Sequence, residues 1–357
     1  MDKKLALFPV SRNMCAVARH AVLLDGWVLS HLFSPSFLRL DGADISKIDG
    51  GSMSNIYISE YGKDKLADCD ALFIEYDENI KNLDLYKEVL SDAEELGKEV
   101  MLSDTLLKKL EKSIDGLPLE YLDSLDPTTN QLFDIQIPVI TVLTQGLRTD
   151  QFAFELALRK HFTQEGYKVG QIGSHECSQL FNFSCIPSFM HKEMGAYEKV
   201  IRFNRYAKNL VETEKPDLLI IGVPDAIMRY SNKILQGLGL LPFIINSAVK
   251  GDLAVLCMYY KALNKEFFEN MRLFGHYRLG VPIDFYGFAN TSATSDPSSD
   301  DKKMSYLNLD SASIVESMND EVDSAENYLF NILDDESVKK ACIAIQEALV
   351  NHVHYMR

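Results

Sequence analysis

The strongest constraint on this chain is a series of short segments that are apolar on nearly every residue rather than on alternate ones. Val139–Leu143 (VITVL), Ala71–Tyr76 (ALFIEY), Asp217–Gly222 (DLLIIG) and Ala254–Met258 (AVLCM) all have this character, and helix-forming stretches of ten or more residues recur between such runs. A strand buried on both faces needs cover on both, and parallel strands joined by helices supply it. The expected fold class is therefore α/β, with doubly wound parallel sheets.

In the first half the expected strands are Leu5–Val10, Trp27–Phe33, Ala71–Tyr76 and Glu99–Ser103. Ser11-Arg12-Asn13 can cap a helix carrying Met14–Leu24. A second helix, Leu85–Leu96, is stopped by Gly97, and Asp104 is expected to cap a third, Thr105–Lys112. The stretch 117–136, broken by Pro118 and by Asp126-Pro127, lacks periodicity and reads as a linker between domain 1–116 and domain 137–357. In the second domain the expected strands are Val139–Leu143, Tyr167–Ile172, Asp217–Gly222, Phe243–Ile245, Ala254–Met258 and Ile283–Phe288. Helices are expected over Gln151–Glu165, Ala196–Glu214, Lys265–Phe274 and Val338–Val353.

Composition narrows the function classes. The formal charge of −16 argues against a nucleic-acid partner, which needs a basic face. No apolar run reaches the roughly 18 to 20 residues that span a bilayer, and Met1–Val10 is too short for a secretory signal core. No membrane partner and a cytoplasmic location are the expectation. Six scattered cysteines without a CxxC pair then read as reduced, buried small hydrophobes. Between Asp296 and Glu336 twelve acidic residues face two lysines, which reads as a solvated, partly flexible acidic segment, 296–336, before the last helix.

Ligands of open parallel sheets sit at the carboxyl ends of the strands, so the loop after Val139–Leu143 matters most. It reads Thr144-Gln145-Gly146-Leu147-Arg148-Thr149-Asp150-Gln151, and Phe152 follows. A phosphate-binding loop placed here needs two glycines, a lysine for the phosphate charge and a hydroxyl for Mg²⁺. Thr144 and Asp150 stand at the glycines, Gln151 at the lysine and Phe152 at the hydroxyl. Asp150 can cap the following helix and would repel a phosphate. Arg148 is the loop's one positive charge.

The layout across Val139–Asn290 nonetheless resembles P-loop domains of the dethiobiotin-synthetase type. Asp225 follows the strand where such proteins place a Walker B and switch segment, and Asn290 ends the strand where they contact a purine base. The expected binding positions on that resemblance are Thr144, Gly146, Arg148, Thr149, Gln151, Asp225 and Asn290. No catalytic residue is assigned, and no resident cofactor is expected, a nucleotide being the alternative. A zinc set could be drawn from His175, Cys177, Cys185 and His191, but H-x-C-x7-C-x5-H is no established zinc spacing, and no metal is expected.

Ile137–Arg159, Gly166–Ser174, Phe203-Asn204-Arg205 and Lys215-Pro216-Asp217 together resemble the clostridial peptide maturation system proteins. That family is encoded beside a radical SAM maturase and small bacteriocin-like precursor peptides. The resemblance implies an accessory or scaffold protein of ribosomal peptide maturation, with precursor peptide and maturase as partners. Its loop departs from the family at Thr144 and Gln151, which argues against nucleotide hydrolysis. The P-loop likeness implies a homodimer. Two rival readings are a slow or divergent NTPase or ligase using Arg148, Asp225 and Asn290, and a small-molecule-binding protein using Pro9–Asn13 and Glu75–Asp77.

Overall fold

A computed structural model describes residues 2–110, 131–231, 237–261, 265–295, 304–321 and 328–355. The chain divides into two compact units. Most of the first is Met1–Asp49 with Met53–Asp123, and most of the second is Ser124–Ser178 with Phe183–Arg357; Gly50–Ser52 belongs to the second and Gln179–Asn182 to the first.

The first unit is built on five parallel strands: β1 (Lys3–Phe8), β2 (Trp27–Ser34), β3 (Ile58–Glu60), β4 (Ala71–Ile74) and β5 (Glu99–Leu102), in the order β3-β2-β1-β4-β5. Helix α1 (Arg12–Arg19) starts as expected at Ser11, whose hydroxyl accepts the Met14 N–H, and it buries Met14–Ala18. Short helices α2 (Ser46–Asp49) and α3 (Lys63–Ala67) follow. Helix α4 (Leu83–Glu95) is capped by Asn82 and buries Tyr86, Val89, Leu90 and Ala93, the one-sided spacing of a helix laid on a sheet. Gly97, at φ +64°, stops it. The cap of α5 (Asp104–Lys109) is Ser103 rather than the expected Asp104. The fully buried Ser103 hydroxyl accepts the Leu106 N–H, a bond that the next residue is one position too late to make.

The second unit carries a seven-stranded parallel sheet in the order β14-β11-β10-β6-β9-β7-β8. Its strands are β6 (Val139–Thr144), β7 (Val169–Gly173), β8 (Ser184–Cys185), β9 (Leu218–Ala226), β10 (Leu253–Tyr259), β11 (Ile283–Ala289) and β14 (Tyr328–Asn331). Between them run α6 (Gln151–Gln164), α7 (Ala196–Glu214), α8 (Leu240–Ala248), α9 (Lys265–Phe274) and α10 (Ser311–Glu321); α11 (Asp335–Tyr355) follows. A two-stranded antiparallel hairpin, β12 (Thr291–Ser295) with β13 (Met304–Asn308), leaves the carboxyl end of β11. The α/β class and the parallel sheets are those expected.

Two expectations fail here. Phe243–Ile245 is not a strand but the middle of α8, entered through Gly239 at φ +69° with Pro242 in its first turn. A short apolar run is ambiguous between strand and buried helix, and Pro242 fits only the start of a helix. The acidic stretch 296–336 is also more than a solvated segment, since it holds β13, α10 and β14. Strand β14 pairs with β11, and Phe330 in it is fully buried with its ring 4.7 Å from that of Phe154. The surrounding acids masked the four-residue sequence Tyr-Leu-Phe-Asn. Residues 296–303 and 322–327, like 117–130 of the expected linker, lie outside the described residues. Truncation of Phe330 to alanine is expected to cost about 3 to 5 kcal/mol, read as a lowered denaturant midpoint. A change within about 0.5 kcal/mol, the range of surface sites, would count against β14 as part of the sheet.

Candidate functional site

Strands β6 and β9 pair in regular register from Val139↔Leu219 to Val142↔Gly222, and the next pair is Thr144↔Ala226. One residue of β6, Leu143, thus stands against three of β9, Val223-Pro224-Asp225. Pro224 has no N–H to give a ladder, and Asp225 turns through φ +72°, so the bulge is written into the residues that form it. The irregularity leaves the carbonyls of Val142 and Val223 in need of donors. Gln151 provides them, its Nε2 donating to Val142 O at 2.8 Å and to Val223 O at 3.0 Å. The position expected to hold a phosphate-binding lysine is therefore occupied by a side chain that fastens two strands.

The remaining polar groups of the loop are also engaged with one another. The hydroxyls of Thr144 and Thr149 are 2.6 Å apart and each reaches Gly146 O. The Gly146 N–H donates to Thr144 Oγ1, and the Gln145 N–H donates to Cys257 O. In a phosphate cradle such N–H groups point at the ligand; here at least two are spent inside the protein. Phe152, at the Mg²⁺-hydroxyl position, is buried with its ring 5.5 Å from that of His175.

Asp150 does not cap α6 with its side chain. It sits in the left-handed region at φ +54°, makes no side-chain capping bond, and instead accepts the Asn290 N–H at 3.3 Å. A residue in that conformation turns its carboxylate away from the first N–H groups of the helix. Asn290 itself is fully buried. Its Nδ2 donates to Ser311 Oγ and to Gly50 O, and its Oδ1 accepts from Asn331 Nδ2 at 2.7 Å. It ties the ends of β11, β14 and α10 together, with no edge left to read a purine.

Arg148 and Asp225 are the expected site residues that stay exposed. The Arg148 guanidinium lies 4.9 Å over the Tyr306 ring, a cation–π contact that binds the loop to the β12–β13 hairpin. Tyr259 stands between Tyr306 and Tyr230, at 6.0 and 6.2 Å, and its hydroxyl donates to Leu147 O; the Tyr230 hydroxyl donates to Ala293 O. Partial desolvation in the bulge raises the carboxyl of Asp225, opposed by the Ala226 N–H that it accepts and by His191. Loop 144–151 and Asn290 are thus brought together, through Asp150, while Asp225 occupies the bulge.

Among the described residues Cys185 and His191 do not join His175 and Cys177 as one ligand set. His175 Nδ1 instead accepts the Cys177 N–H. In the first unit, Ser11 donates to Glu75 Oε2 at 2.9 Å across the carboxyl ends of β1 and β4, and Tyr86 accepts the Asp77 N–H. The three tyrosines, Asn331 and the buried Glu155 escaped sequence reasoning. Only Glu155 carried a signal, a lone acid in a helix that is apolar on most sides.

The second unit is therefore a parallel α/β domain whose loop after β6 is bonded to itself. No family model matches the sequence, and no curated protein matches it. A DUF1611 family protein from Anabaena variabilis superposes with a TM-score of 0.60 at 12% identity, covering 98% of this chain and 100% of that one. A pseudomurein peptide ligase type C from Methanothermus fervidus gives a TM-score of 0.26 at 10% identity, over 71% of this chain and 38% of the ligase. The first likeness shows the fold; the second is too slight to carry an argument.

Replacing Gln151 by alanine leaves two buried carbonyls without a donor. It is expected to cost about 2 to 4 kcal/mol, measured by chemical denaturation. An unchanged midpoint would mean that the side chain does not fasten the strands.

Proposed function

We propose that this protein is an accessory scaffold of a ribosomal peptide maturation pathway, binding precursor peptide or the radical SAM maturase without turning over a nucleotide. The single observation that carries the second part is the bonding of Gln151 to Val142 O and Val223 O. Phosphoryl transfer depends on fixed positive charge and a metal at the phosphates. Here the lysine position is a strand fastener, the hydroxyl position is a buried phenylalanine, and the loop N–H groups of Gln145 and Gly146 are satisfied internally. Arg148, which would have to serve a phosphate, lies on Tyr306. The peptide pathway and its partners rest on the sequence resemblance over Ile137–Asp217. The P-loop-type sheet is consistent with that resemblance but does not select it.

Titration calorimetry with ATP and GTP, with and without Mg²⁺, is expected to show no binding heat. Binding that needs Mg²⁺ and disappears in Arg148→Ala would overturn the non-hydrolysing reading in favour of a divergent NTPase. Co-purification with a radical SAM maturase or a precursor peptide from the producing cell is the expected positive result, and capture of neither would remove the pathway assignment.

A further inference from the structure

Glu155 stands one turn into α6 with no exposure to solvent. Its Oε2 accepts the Ser174 N–H at 3.0 Å, and its Oε1 has no hydrogen-bond partner. The carboxyl group rests against Gly222 of β9, where a Cβ would overlap all three of its outer atoms. Beside it, on the same face of the sheet, Gln171 of β7 is 1% exposed and neither its amide nitrogen nor its amide oxygen is bonded. Three such atoms on two neighbouring buried side chains are unusual, because buried polar groups are paired as a rule.

The charges around the site do not solve the problem. The titratable groups that act on Glu155 and its surroundings are His175 on the loop after β7, Cys257 on β10, and Asp150, which acts on Cys257. Burial drives the Cys257 thiol well up, so it stays neutral, and Asp150 adds negative charge. None is a lysine or arginine. An ionised carboxylate with one N–H donor and no fixed cation is costly to bury. A carboxylic acid is not, since it gains a donor and Gln171 Oε1 offers an acceptor.

We propose that Glu155 is a buried proton-binding site, its Oε1–H donating to Gln171 Oε1, and that loss of this proton to water opens the seam between α6 and Gly222. Desolvation is the main cause that raises the carboxyl from its ordinary 4.5 to about 7, against the Ser174 bonds, the His175 charge and the neighbouring Gln171 amide. The sign follows from linkage: the folded state holds a proton that the unfolded state has released between these two values. The stabilisation is whole below pH 4.5 and is lost as pH rises through about 7.

The proposal stands apart from the scaffold reading, since it concerns the packing of α6 on β9 whatever the protein's partner. Wild type and Glu155→Gln are unfolded by denaturant between about pH 5 and pH 8. The amide keeps a donor for Gln171 and cannot ionise. The ratio of their unfolding constants is expected to change by roughly two orders of magnitude over that range, wild type being the one that weakens. A ratio independent of pH overturns the proposal. Should the variant fail to fold, carbon NMR of the wild-type glutamate carboxyls decides. A resonance assigned to Glu155 by its contact with the Gly222 α-protons is expected to titrate near neutrality. Titration in the ordinary carboxylate range overturns it.

Discussion

The geometry of the second unit hangs on the fork made by one amide nitrogen. Strands β6 and β9 cannot stay in register past Val142 because Pro224 breaks the ladder and Asp225 turns through a left-handed conformation. Gln151 reaches down from the first turn of α6 and bonds both stranded carbonyls. With that side chain fixed, the start of α6 is fixed, and the preceding loop must close the gap with its own groups. The paired threonine hydroxyls, the Gly146 turn and the bond from Asn290 to Asp150 all follow from a helix start held in that place.

Much of this fold could be read from the sequence because strands apolar on both faces admit few arrangements. Val139–Leu143 and Ala254–Met258 fall within strands of the seven-stranded sheet, as does Asp217–Gly222 from Leu218 on, and α7 spans Ala196–Glu214 as expected. The failures have physical causes. Phe243–Ile245 is apolar enough for either element, and Pro242 just before it is what favours the helix. Strand β14 was hidden because composition averages over a window, whereas Phe330 is buried as a single residue.

The site was legible to a different depth. Aligning the loop on a phosphate-binding pattern located Thr144, Thr149, Gln151 and Asn290, all of which are buried and bonded. Their function was not legible, because sequence spacing does not say which carbonyl an amide will meet. Asp150 shows the limit most plainly. An aspartate before a helix is an ordinary cap, yet a positive φ redirects its carboxylate to Asn290. Glu155 lies further out of reach, since its environment is assembled from β7 together with β9 and β10, the latter two distant in sequence.

The self-bonded loop also bears on how such a protein could be controlled. A protein that folds around a nucleotide gains stability in proportion to the logarithm of nucleotide concentration. A loop whose Thr144 and Thr149 hydroxyls already satisfy each other would have to break that bond before it could take a nucleotide. On the scaffold reading proposed above, what the contact removes is a sensor of energy charge, and what it leaves is a surface that a nucleotide does not reshape.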